Sequence, residues 1–360
     1  MIPIIIFILI LSLLIVVHEF GHFIVARKNG VRVEQFSLGF GKRLWRKKKG
    51  DTEYSLNLIP LGGYVKMAGD NLEECTGKSD EYFSKSPGKR FQIIVFGPLL
   101  NYFLGFIFFW SIFIIGYPTL TTKVGGLIDG FGAQASGLRV GDQIRAVDNR
   151  KVDNWSELQK EIQRNNSAGS VNLAVLREGK ELKVSVPLKE KSALDALGQK
   201  HSLSLIGITP FDETIEIRHG PVKSMFLAAQ KTLDLTLTTY KALWFLVTGK
   251  ISMRESMAGP LEIFFMTSKA ATLGLAAVLH LIAALSISLA IFNLLPVPIL
   301  DGGHILLLGI EKIRRKPLEI RIERILTNIG FSLLLTMVVL VTYNDILRRY
   351  GENISKFFVK

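Results

Sequence analysis

The sequence predicts a polytopic α-helical membrane protein of about four transmembrane spans, with one α+β domain inserted outside the bilayer. Three observations carry that expectation. The 360-residue chain is 48% hydrophobic with a mean hydropathy of +0.31, too apolar for a soluble protein and too long for one domain. Four runs, near residues 2–25, 91–117, 273–295 and 325–343, are long and apolar enough to cross a hydrocarbon core of about 30 Å. Between the second and third runs, residues 122–212 lose apolar density, gain charge and alternate with the period of a strand.

The net charge of +13 raises the question of nucleic acid, but the charges are laid out otherwise. Arg43, Arg46, Lys47, Lys48 and Lys49 crowd one short segment after the first run, and Arg314, Arg315 and Lys316 another before the last. Basic clusters beside spans are cytoplasmic anchors to anionic membrane lipid. No nucleic-acid motif accompanies them, so no nucleic-acid partner is expected. The single cysteine, Cys75, excludes an internal disulfide and a cysteine-based zinc site. Residues 1–17 carry no Lys or Arg and no small-residue cleavage site follows them, so residues 1–26 read as a retained span, not a signal peptide. Arg27 and Lys28 follow it, which places the N-terminus outside and residues 27–90 in the cytoplasm.

The first span ends in His18-Glu19-Phe20-Gly21-His22. Histidines four apart lie on one helical face, one turn above each other, so both imidazoles reach one ion. Glu19 is angled aside, placed to take a proton from an activated water. Zinc suits neutral imidazole and carboxylate donors with one position left open. Ionisable side chains are costly within a span, and three in five residues call for a purpose. The bland alternative is a polar cluster satisfied by neighbouring spans; a third ligand would decide between the two.

The region 27–90 contains a hairpin near 53–67, read as two short strands punctuated by Pro60, Gly62 and Gly63. Its apolar residues, Leu56, Leu58, Tyr64, Val65 and Met67, fit a membrane re-entrant hairpin whose edge meets an extended substrate, and equally a plain cytoplasmic hairpin. Residues 70–88 form a polar, acidic surface loop. The second span, 91–118, is interrupted early by Gly97-Pro98, marking an interfacial turn or a kink. Within 122–212, strands at 171–176 and 182–186 flank Glu178-Gly179, and a helix runs over 156–164 with Ser156 as its N-cap. The G-L-x-x-G-D-x-I layout of Gly137, Leu138, Gly141, Asp142 and Ile144 resembles a PDZ domain over about 90 residues. That fold binds an extended peptide at a strand edge beside a helix.

Residues 213–271 read as an extracytoplasmic amphipathic helical segment with a second Gly-Pro at 259–260. The third span, 272–303, holds His280, which no acidic neighbour accompanies and which reads as a packing residue. The span ends in N-L-L-P-V-P-I-L-D-G-G over 293–303. Prolines two apart cannot continue a helix, and irregular backbone at membrane depth is tolerated where it lines a cavity. Asp301 arrives on this segment as a buried carboxylate and fits the missing ligand; His304 competes with it but reads as a packing or supporting residue. A basic cytoplasmic loop (304–324), the fourth span (325–345) and a short tail (346–360) complete the chain. Arg348 and Arg349 in that tail lie on the outer side, against the positive-inside rule.

Taken jointly, H-E-F-G-H at 18–22, P-L-G-G-Y-V-K-M at 60–67, G-P-L-L-N at 97–101 and N-L-L-P-V-P-I-L-D-G-G at 293–303 resemble the site-2 protease family of intramembrane zinc metalloproteases (the M50 class), bacterial RseP type. The resemblance implies one zinc ion on His18, His22 and Asp301, with Glu19 as the catalytic carboxylate. It implies that Asn293, Pro296 and Pro298 shape the substrate path, and that Gly62, Gly63 and Tyr64 lie in a re-entrant hairpin beside the substrate. It further implies a bacterial inner-membrane endopeptidase. Its substrates would be single-span membrane proteins already cut outside by another protease, such as anti-sigma-factor remnants, or leftover signal peptides. The best-known members of this type carry two PDZ modules where this chain has room for one, and some have asparagine where this chain has Ser288. A catalytically inactive PDZ adaptor and a water-facing, membrane-anchored zinc protease are the alternatives. The intact H-E-x-x-H with Asp301 speaks against the first, and the burial of that motif in a span against the second.

Overall fold

The computed structural model describes residues 2–71, 73–164, 169–194, 200–252, 258–316 and 320–358. The chain divides into two compact units: Met1–Ile112 with Pro221–Trp244 and Ser252–Lys360, and Phe113–Gly220 with Phe245–Ile251.

The first unit is a helical bundle with one β-ribbon. Helix α1 (Ile2–Lys28) is apolar on every face, as a helix surrounded by lipid and protein must be. It ends where Gly30 turns left-handed at φ 70°, which lets the Asn29 and Val31 amides return to the Val25 and Ala26 carbonyls. Strands β1 (Val33–Lys49) and β2 (Thr52–Met67) follow, then α2 (Pro87–Ile115). The bundle is completed by α5 (Pro221–Val247), α6 (Pro260–Leu273), α7 (Leu275–Asn293), α8 (Asp301–Arg314) and α9 (Ile320–Phe358). Among the described residues four helical segments are long and apolar enough to cross a membrane: Ile2–Lys28, Pro87–Ile115, Leu275–Asn293 and Arg324–Tyr350. The protein is a four-span helical membrane protein with additional β-sheet domains.

Packing in the bundle is close. Ile10 and Leu14 of α1 share a core with Leu104 and Phe108 of α2 and Ile282 of α7. A Cβ on Gly105 would stand 2.9 Å from the Ala283 carbonyl, so α2 and α7 approach nearly backbone to backbone. Helix α6 packs on α1, with the Phe264 ring edge-on to Phe7 at 5.7 Å.

Several elements differ from their expected extent. Residues 97–98 do not end a helix: α2 runs through Pro98. The hairpin is not two strands within 53–67. That whole segment is one bent strand, β2, and its partner is β1. Residues 35–38 find partners on both sides, at 53–56 and at 63–66. The ribbon has a polar heart, where Asn57 Nδ2 donates to Ser37 Oγ and to the Gly39 carbonyl, both at 2.9 Å. Residues 304–314 are helical, because α8 starts at Asp301 and the chain needs no loop until Arg315 turns left-handed at φ 55°. The described residues of 213–271 include a strand and two helices, α5 and α6, each begun by proline, which loses nothing at a helix start.

The second unit contains the 122–212 module. It is entered and left through a ribbon of β3 (Tyr117–Leu120) and β12 (Thr214–Ile217). Inside lie β4 (Val124–Leu127) paired with β11 (Ile208–Pro210), and β9 (Lys189–Leu194) paired with β10 (Lys200–Leu205). A four-stranded sheet runs in the order β6 (Arg150–Lys151), β5 (Gln143–Val147), β7 (Ser170–Arg177), β8 (Lys180–Pro187). Helices α3 (Gly132–Ala135) and α4 (Trp155–Arg164) complete it. Ile144, Leu158, Val171, Leu173, Val175 and Val186 form a core with no solvent exposure. The cap of α4 is Asn154, two residues earlier than the expected Ser156: its Oδ1 accepts the Glu157 amide at 3.0 Å while Glu157 takes the Asp153 amide at 2.9 Å.

Candidate metal centre

Helix α1 brings His18 and His22 to one face, their Nε2 atoms 3.2 Å apart. Asp301, the first residue of α8, meets both: Oδ2 lies 3.2 Å from His18 Nε2 and Oδ1 3.6 Å from His22 Nε2. Among the described residues this is the one trio of His, Cys, Asp or Glu whose ligand atoms all lie close enough for one metal ion, within 4.8 Å of one another. The site is a His–His–carboxylate cluster compatible with metal binding.

Two features aim the imidazoles. His22 Nδ1 lies 2.9 Å from the Ile93 carbonyl of α2, which fixes the proton on Nδ1 and leaves the Nε2 lone pair free. Pro98 has no amide to give the Ile94 carbonyl, which loosens this turn of α2. Gly97 and Gly21 then allow the approach. A Cβ on Gly97 would run into the His22 ring, and one on Gly21 would meet the Phe96 carbonyl. The Gly97-Pro98 pair, read from sequence only as a turn or kink, is thus a seat for His22. Its signal was a glycine–proline pair followed by unbroken apolar helix.

Asp301 is delivered by the broken backbone. Helix α7 stops at Asn293, and residues 294–300 fold back against the start of α8. Cβ atoms on Gly302 and Gly303 would clash with the Leu294 and Val297 carbonyls, so both glycines are spatial necessities. Asn293, Pro296 and Pro298 all lie on this connection or at its start, and Gly330 of α9 backs it, 3.1 Å (from its would-be Cβ) to the Ile299 amide. His304 lies one turn beyond Asp301 and outside the trio. His280 packs edge-on to Phe109, with ring centroids 5.3 Å apart.

Glu19 is half-buried beside the cluster and takes a hydrogen bond from the Val65 amide of β2. The same stretch of β2 runs along α1. Ser12 Oγ donates to the Pro60 carbonyl at 3.2 Å, and a Cβ on Gly63 would lie 3.1 Å from Ile15 and 3.4 Å from Glu19. Gly62, at φ 143°, faces the Phe40 ring, which stacks on Tyr64 at 6.3 Å.

In the second unit, Gly137, Leu138, Gly141 and Asp142 build a turn, not a cleft. Gly137 and Gly141 are left-handed, Leu138 is in the core, and Asp142 is buried. Burial works against the Asp142 carboxylate, yet the paired Arg177 guanidinium and the Arg139 amide, each 2.8 Å away, hold its pKa below the usual range. The cleft of this unit opens elsewhere. It holds about 300 Å³ between α4, at Trp155, Leu158 and Ile162, and residues 203–208. There the Gln163 amide pairs both ways with the Ser204 backbone, at 2.8 and 3.2 Å. Sequence reading missed this cleft because its two walls lie some forty residues apart.

The sequence pattern of peptidase family M50 matches residues 6–337. "Putative zinc metalloprotease Cj1068" of Campylobacter jejuni is 33% identical over 353 residues, covering 96% of this chain and 93% of its own. The regulator of sigma-E protease RseP of Escherichia coli K12 is 30% identical over 446 residues, covering 95% of this chain and 98% of its own. Protease RseP of Yersinia pestis matches at 30% with the same coverage. With the helical cluster in a polytopic inner-membrane protein, these relatives make the chain a zinc metalloendopeptidase that works in the membrane. The chain belongs to peptidase family M50.

Proposed function

We propose that this protein cleaves single-span membrane proteins inside the bilayer, after another protease has shortened their outer part. It does so with one zinc ion held by His18, His22 and Asp301. The observation that carries the reading is the meeting of three ligand atoms from α1 and α8 with a fourth ionisable group, Glu19, beside them. The donors fit zinc: two imidazole nitrogens, one already freed by its Ile93 partner, and one carboxylate. When bound, the ion supplies Lewis acidity to a peptide carbonyl and to a water.

The remaining chemistry belongs to the chain. Glu19 accepts a proton from the attacking water and returns it to the departing amine. The Val65 amide holds the Glu19 carboxylate in place. A helical substrate has its carbonyls engaged in i→i−4 bonds, so it must be opened before attack. Residues 63–67 of β2 offer an edge for that, since Val65 turns its amide toward Glu19 while β1 pairs on the other side. On this reading Gly62, Gly63 and Tyr64 lie along the substrate. Phe40, Leu44, Trp45, Leu58 and Ile59 are exposed on the ribbon, which supports a hairpin dipping into the membrane. The α4 cleft supports a PDZ reading of the 122–212 module, with residues 203–208 as the peptide-side wall.

Zinc content and activity of purified variants test the assignment. His22→Ala and Asp301→Ala lose the metal and proteolysis together; Glu19→Gln keeps the metal and loses at least 10²-fold in rate, the scale of a general base. Full activity in Asp301→Ala would remove Asp301 from the ligand set.

A further inference from the structure

We propose that Asn101 is a positioning residue for His18, its side-chain carbonyl taking the His18 Nδ1 proton directly or across one buried water. This rests on the metal reading of His18.

The two histidines of α1 are treated unequally by what the structure shows. His22 Nδ1 has the Ile93 carbonyl at 2.9 Å. His18 Nδ1 is buried and has no hydrogen-bond partner among the described residues. An imidazole that gives its Nε2 lone pair to a metal carries its proton on Nδ1, and that proton needs an acceptor away from water. Asn101 presents the complementary fault. It is fully buried, and neither its Oδ1 nor its Nδ2 has a hydrogen-bond partner among the described residues. A buried polar group without a hydrogen bond is costly, and two such groups point to a shared partnership.

The packing sets these two residues at one level. Contacts between α1 and α2 run in opposite senses: His22 meets Ile93 and Gly97, while Ile10 and Leu14 share a core with Leu104 and Phe108. One turn back along α1 from His22 is His18, and one turn on along α2 from Gly97 is Asn101, each step about 6 Å. Asn101 therefore stands to His18 as Gly97 stands to His22. The face of α2 is fixed on either side of it, by Gly97 against the His22 ring and Gly105 against α7. Ser286 of α7 pins the Asn101 backbone, its Oγ donating to the Asn101 carbonyl at 2.7 Å. The backbone is thus anchored, and no hydrogen bond among the described residues commits the amide elsewhere.

The test uses the purified full chain in detergent and measures zinc affinity by competition with a chelating dye. Asn101→Leu is expected to weaken zinc binding about 10- to 100-fold, the usual loss for a partner of a ligating histidine. Asn101→Asp is expected to restore it, because a carboxylate accepts the same proton. Asn101→Ala carries the same zinc expectation should the leucine variant not fold. Parent-like affinity in both Asn101→Leu and Asn101→Ala, with Asp301→Ala impaired, overturns this proposal alone. Parent-like affinity in Asp301→Ala overturns the metal reading and this proposal with it.

Discussion

A methyl group at position 97 would stand against Nε2 and Cε1 of His22, with Cδ2 3.0 Å away. The obstacle is a ring held at its far side by the Ile93 carbonyl, so it cannot swing aside without losing that bond. Gly97→Ala is expected to push Nε2 out of the cluster and weaken zinc binding by about 10- to 100-fold. Equilibrium dialysis against buffered zinc reads this directly. A second residue-scale prediction concerns Glu81. Its carboxylate accepts the Thr76 hydroxyl at 2.6 Å, then the Thr76 and Gly77 amides at 2.8 Å and the Cys75 thiol at 3.2 Å. These bonds, the Thr76 hydroxyl foremost, push its pKa from 4.5 down to about 2. A depressed carboxylate contributes stability that is complete above its unfolded pKa and is lost as pH falls through the folded one. The loop around Cys75 should therefore hold from pH 7 to about 4.5 and loosen from there toward 2. The rate at which an acid-tolerant disulfide reagent modifies Cys75 should stay level, then climb in that window.

At the scale of elements, the N-terminal end of α2 is tied to α8 by Arg90 and Glu311, a short ion pair in which Arg90 is only 4% exposed and lies over the Phe83 ring. Removing one partner strands the other, so Arg90→Met alone should cost about 3–5 kcal/mol, while Arg90→Met with Glu311→Leu should cost far less. Thermal unfolding of both in detergent gives the comparison. This tie, like β1, was not legible from sequence. Local pattern announced what is local: the four apolar runs, the i, i+4 histidines, and the Pro296–Pro298 break that frees Asp301. The β1 strand was hidden because Arg43 to Lys49 carry a charge run that signals a loop, whereas in the ribbon they form its exposed part. The α4 cleft and the seat of His22 depend on pairs of segments far apart in sequence, and no periodicity reports those.

For the molecule as a whole, the ribbon of β3 and β12 makes the module separable, since Tyr117 pairs with Ile217 and Leu120 with Thr214. Replacing 122–212 by a short flexible linker should leave that ribbon closed. If the module excludes substrates with bulky outer domains, the deleted protein will cut short-ectodomain reporters at nearly the parent rate and gain activity on long ones. Equal loss on both reporters would instead assign the module to recruitment through its cleft. Orientation has its own test. Cys75 shares a region with Arg43 to Lys49, and the positive-inside rule puts it in the cytoplasm. An impermeant maleimide should label it in opened cells and not in intact spheroplasts.

The start of α6 carries a consequence in time. Its N-cap, Gly259, has no side chain to receive the first amides of the helix. That service comes from Asp345, buried in α9, whose carboxylate takes the Gly259 amide at 3.2 Å and the Glu262 amide at 3.1 Å. The partners are 83 residues apart along the chain. At about 5–20 residues per second, the ribosome makes Glu262 roughly 4–17 s before Asp345. For that interval the amides at the head of α6 lack the Asp345 carboxylate that later caps them. The last span to be synthesised is thus also the latch that ends assembly. A chain released before residue 345 is left with an unsealed helix end.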